Sequence, residues 1–244
     1  MFIPNTSLRS IIITALLVTL SACERSPSKE APHQPDTRSV SNEHTESEPL
    51  SLPLRLAFMT GHVKAGLALY RAGEPEMAAP HLLHPVSETH IAEREGLDKF
   101  GFDGALFEVV SLALDAGRPA EEIDPQLIAA EANLDSVAKQ VGGDPSEIII
   151  FLLDTIIEEY TISMTDGRVS DPGEYQDAYG FAIVARDHIV NAWGEDTALL
   201  ATINDLINLW PTAPIPSANP TQVSDVVAHA TQLKKVIKEK ASVD

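Results

Sequence analysis

A single cysteine, Cys23, stands in a chain of 244 residues, so no disulfide can close within it and stability must come from packing. Basic residues are also scarce, with 17 Lys and Arg against 36 Asp and Glu and a formal net charge of -19. A surface of that sign repels phosphate backbones, which excludes nucleic acid as a partner. It equally disfavours adhesion to anionic lipid headgroups, so any membrane link has to be an acyl anchor. No apolar run reaches the roughly 20 residues that a helix needs to cross a bilayer about 30 Å thick. A Gly-X-Ser-X-Gly elbow, a His-Glu-X-X-His pair and a phosphate loop are all missing, and no enzymatic activity is expected.

The N-terminus, by contrast, is rich in signals. Arg9 supplies a short positive region, and Ile11 to Leu20 form an apolar run of about ten residues. Leu20-Ser21-Ala22-Cys23 then fits the lipobox of bacterial lipoproteins, in which small residues suit a peptidase pocket and the thiol takes a thioether-linked diacylglycerol. Residues 1–22 therefore read as a signal peptide and Cys23 as a lipidation site facing the periplasm. Glu24, second in the mature chain, suits delivery to the outer membrane better than retention at the inner one. Residues 24–50 hold no aromatic side chain and cannot bury enough apolar surface to offset their ordering entropy. They read as a disordered tether with a reach of about 90 Å.

From Leu52 onward the apolar spacing is helical. Asp124-Pro125, Asp144-Pro145 and Asp171-Pro172 each place an N-cap carboxylate before a proline at the first helical position. Glu147 and Glu174 stand where a capping box needs them. Ile148 to Leu153 is the one ambiguous run, and its cap and continuation through Ile156, Ile157 and Tyr160 favour a buried central helix over a strand. The fold expected is all-α and bundle-like, with about eight helices in antiparallel pairs after the tether. The helical domain spans residues 51–210. A Pro-rich linker at 211–219 precedes a C-terminal helix at 220–244, which either packs back or lies loosely.

Two constellations carry possible chemistry. Four of the eight histidines lie between residues 62 and 90. In a helix His81, His84 and Glu88 would share one face at i, i+3 and i+7, and His62 on a preceding helix would approach it. Neutral imidazoles plus a carboxylate are ligands that first-row transition metals accept. The same histidines also suit hydrogen-bonded packing, with Gly61 and Gly66 allowing two helices to approach, and Pro80 and Pro85 interrupt the ideal spacing. In the second constellation the Asp166-Gly167 turn folds two helices together, so that Glu159 and Glu174 stand at similar heights on facing helices. A capping role alone would also account for Glu174.

Glu159-Tyr160, Asp166-Gly167-Arg168-Val169 and Asp171-Pro172-Gly173-Glu174-Tyr175 resemble the helical periplasmic region attached to some bacterial Ftr-type iron permeases, over residues 145–186. The segment from His62 to Glu88 is similar to imelysin-like, iron-associated helical lipoproteins, although the Gly-X-His-X-X-Glu signature is absent. No permease-type spans follow, so the chain is not the channel itself. The resemblance implies an accessory of iron uptake in the cell envelope, with iron or another divalent metal as ligand and an iron permease or other envelope protein as partner. A helical adaptor that binds another envelope protein without metal is the alternative.

Overall fold

Helix-favouring periodicity and acidic caps produce the expected all-α architecture. The computed structural model describes residues 50–87, 91–194 and 196–242. The signal peptide, Cys23, the tether and Glu88 lie outside the described residues. Among those described, eight helices of nine or more residues occur: α1 (Leu52–Arg71), α2 (Pro75–Leu83), α4 (Gly104–Asp115), α5 (Asp124–Val141), α6 (Pro145–Ile162), α7 (Pro172–Trp193), α8 (Thr197–Ile207) and α9 (Val223–Ala241). The one-turn α3 (Ile91–Arg94) sits between α2 and α4.

Asp144 and Asp171 cap as expected: the carboxylate of Asp144 accepts from Ser146 N, and that of Asp171 from Gly173 N and Glu174 N. Asp103 and Asp196 do the same for α4 and α8. Asp124 does not, because α5 begins one residue early with Ile123 at the N-cap. The ambiguous run is helical, and Ile148, Ile149, Leu152, Leu153 and Ile156 are all buried. Asp166 and Gly167 both adopt positive φ (51° and 74°), which is the two-residue turn of a β-hairpin rather than a plain helix connection. It is flanked by β1 (Met164–Thr165) and β2 (Arg168–Val169), antiparallel with Met164 opposite Val169. This short ladder fixes the register in which α6 turns into α7.

The apolar side chains form two cores. One is built by α6, α7, α8 and α9, and the other by α1, α2, α4 and α5. The final helix packs back: Val226, Ala230, Leu233 and Ile237 are fully buried in the first core. The Pro-rich stretch is tied down as it crosses, since Tyr160 Oη donates to Thr221 O (2.8 Å) and Trp210 Nε1 to Tyr175 O (3.0 Å). Lys234 and Lys240 pin the same helix to Asp154 and Asp196.

The two cores meet where α1 crosses α7. A β-carbon on Gly180 would run into the carbonyl of Gly61, and one on Gly61 would run into the Phe181 ring. Only glycine at both places permits this approach. Gly66 does the same one step further along, where a β-carbon would lie 2.7 Å from Leu82 Cγ and 2.9 Å from His81 Cβ.

Candidate metal centre

The glycine contacts bring polar side chains together in an apolar setting. From α1, His62 reaches Asp177 on α7, with Nδ1 2.7 Å from Oδ1. From α2, His81 reaches the same oxygen, with Nδ1 at 2.8 Å. All three residues are buried, at 7%, 4% and 7% exposure, which marks them as placed rather than incidental. Their ligand-capable atoms lie within 4.8 Å of one another. A carboxylate oxygen only accepts, so both Nδ1 atoms donate to it.

The surroundings complete the arrangement. His81 Nε2 donates to Gln176 Oε1 at 2.9 Å, and Gln176 Nε2 donates in turn to Met77 Sδ at 3.3 Å. His62 Nε2 is buried without a hydrogen-bond partner. The Phe58 ring meets His62 edge-on at 4.6 Å, and the His84 ring stacks on His62 at 3.9 Å and 19°.

Electrostatics ties the second constellation to the first. Burial pushes the Glu159 carboxyl up, and the adjacent Glu174 carboxyl, within hydrogen-bonding reach, pushes further, with Asp177 and Glu158 adding to the shift; the result is about 9. One Glu159 oxygen, Oε2, is buried with no partner. Burial also opposes ionisation of Asp177, but the bonds from His62 and His81 win and hold it at about 2. For His81 burial opposes the charge, and the Asp177 contact, Gln176 and Glu174 together outweigh it and raise the pKa. Glu174 and Asp177, three residues apart on α7, thus face both the imidazoles and Glu159.

The structure therefore joins His62 and His81, and sets Glu159 and Glu174 side by side, with the Glu174 charge felt at His81. His84 takes a different position. The helix ends at Leu83, where His84 becomes the C-cap ahead of Pro85, so the helix itself carries His81 but not His84, and Glu88 lies outside the described residues. The His84 ring stacks on that of His62. The side chain at the centre, Asp177, was not picked out from sequence, nor was Gln176. The signal was a polar Gln176-Asp177 pair between Tyr175 and the small residues Ala178 and Gly180, on the buried side of a helix.

The arrangement suits a cation. One carboxylate, that of Asp177, meets two imidazoles, the Glu174 charge acts on His81 from further off, and the compact donor set is two imidazoles plus one carboxylate. Such a set with open positions is accepted by ferrous and related first-row ions.

Sequence comparisons give the setting. No curated protein matches the chain, and no solved structure does. Residues 145–240, which run from the start of α6 almost to the end of α9, match the family model of the iron permease-associated 4-helix bundle domain. That match contains Glu159, Glu174, Gln176 and Asp177, but not His62, His81 or His84, so the site lies between the segment similar to that family model and the α1–α2 hairpin that precedes it.

Proposed function

We propose that this protein is a lipid-anchored accessory of iron uptake in the bacterial envelope, and that it holds a divalent first-row metal ion as cargo between His62, His81 and Asp177. The observation that carries the reading is the convergence of two buried imidazoles on one carboxylate oxygen, with the Glu159–Glu174 pair adjacent. Cys23, through a diacylglycerol, would keep the domain at the membrane near an iron permease. No helix among the described residues is long and apolar enough to cross a membrane.

In this reading His62 and His81 supply neutral nitrogen and Asp177 supplies charge. Glu159 and Glu174 offset the remaining positive charge and take up or release the proton that His81 carries when no ion is held. His84 and Phe58 screen His62 from water, which strengthens every charge interaction inside.

Anaerobic calorimetric titration of the full chain with ferrous iron, zinc and manganese tests this. The expected result is saturable binding that is weakened at least about 100-fold in His62→Ala/His81→Ala, as loss of first ligands exceeds the 10–100-fold typical of outer groups. Equal binding by that variant would reject the metal site and favour an adaptor held together by a hydrogen-bonded His-Asp-His core.

A further inference from the structure

A histidine has two nitrogens, and which of them binds a metal is set by what the other one holds. Gln176 decides this for His81. Its Oε1 lies 2.9 Å from His81 Nε2, and an amide oxygen only accepts, so that nitrogen carries its hydrogen. Nδ1 is then the atom left to face Asp177 Oδ1, where His62 also presents Nδ1. The other end of the amide favours this orientation. Its NH2 end lies 3.3 Å from Met77 Sδ, and a reversed amide would set two acceptors against each other. Met77 precedes His81 by one helical turn on α2, so the amide bridges two steps of the same helix.

Apart from the bond to the buried His81 Nε2, nothing in the packing requires a glutamine there. Gln176 is 2% exposed, and an apolar side chain would fill the space without an amide to satisfy. As the neighbour of Asp177 on α7, it is placed by the same turn that places the carboxylate. We infer that Gln176 is a positioning residue that commits His81 to bind the metal through Nδ1. The inference rests on the metal site proposed above and adds the atom through which it binds.

The test uses the full chain, with cobalt(II) and zinc(II) as probes. Gln176→Leu should bind cobalt about 10–100-fold more weakly, with a changed visible spectrum. Gln176→Glu, which keeps an acceptor facing Nε2, should recover most of that loss at alkaline pH. Long-range proton–nitrogen NMR of the zinc-loaded wild type should show His81 with hydrogen on Nε2 and metal on Nδ1. A Gln176→Leu protein of unchanged circular dichroism that binds cobalt as tightly as wild type would overturn the inference and leave the metal site standing. Zinc on Nε2 of His81 would overturn it even if Gln176→Leu fails to fold. A wild-type chain that binds neither ion would bring down the metal site, and this inference with it.

Discussion

The two halves of the helical unit bring different chemistry to one place. The bundle of α6 to α9 contributes oxygens, from Asp177, Glu159 and Glu174, and the α1–α2 hairpin contributes imidazoles from His62, His81 and His84. Taken by itself, the bundle would hold three acids at one end, two of them with carboxyls in contact, which is a repulsive arrangement in a partly buried setting. The hairpin relieves it. His81 pairs with Asp177, and that contact together with Gln176 and Glu174 raises the pKa of its imidazole against the effect of burial. A buried acid cluster in one element thus becomes intelligible only through the element packed against it.

That contrast can be broken from either side. The largest effect is expected from Asp177→Leu, which leaves the buried Nδ1 atoms of His62 and His81 without their carboxylate partner. The metal-free protein should lose about 3–5 kcal/mol in denaturant unfolding. Leu233→Ala tests the bundle alone, since its side chain is fully buried in the α6–α9 core. It should cost about 2–5 kcal/mol and leave metal affinity unchanged. Gly66→Ala tests the hairpin alone, because the new methyl would press on Leu82 and His81. A loss of about 1–3 kcal/mol should come with weakened metal binding, as His81 is displaced. Asp144→Ala, which removes one helix cap, should cost about 1 kcal/mol, whereas Asp124→Ala should cost less, because its carboxylate caps nothing.

The pH dependence sharpens the comparison further. Asp177 is held below its unfolded value, so its contribution is present above about pH 4 and disappears as pH falls towards 2. His81 and Glu159 are shifted up, and both favour the protonated form in the fold. The contribution of Glu159 is complete below its unfolded value and declines as pH rises towards about 9, while that of His81 declines as pH rises through its raised folded value. The metal-free protein should therefore be most stable in mildly acidic solution and lose stability towards alkaline pH. A saturating divalent ion should reverse the alkaline part of that profile, because ligand histidines must be deprotonated. Thermal unfolding from pH 3 to 9, with and without zinc, reads both trends.

Much of this was legible in the sequence, and the limits are instructive. Helix positions followed from apolar spacing and from Asp-Pro caps because those are local features. The apposition of Glu159 and Glu174 followed from their near-equal distances to the Asp166-Gly167 turn. Gly61 and Gly66 pointed to close helix approach, but Gly180, which Gly61 packs against, lies more than a hundred residues away and no local pattern links the two. Asp177 was missed for the same reason, since its role exists only once α1 and α2 have docked on α7. For His84 the helical spacing was carried past Leu83, whereas the helix ends there and the His84 ring stacks on His62.

The most direct measurement is a crystal structure of the full chain soaked anaerobically with ferrous iron, with an anomalous difference map recorded at the iron edge. The account predicts one strong peak between His62 Nδ1, His81 Nδ1 and Asp177 Oδ1, about 2.0–2.2 Å from each. A map with no peak there, while the three side chains keep their mutual hydrogen bonds, would contradict it.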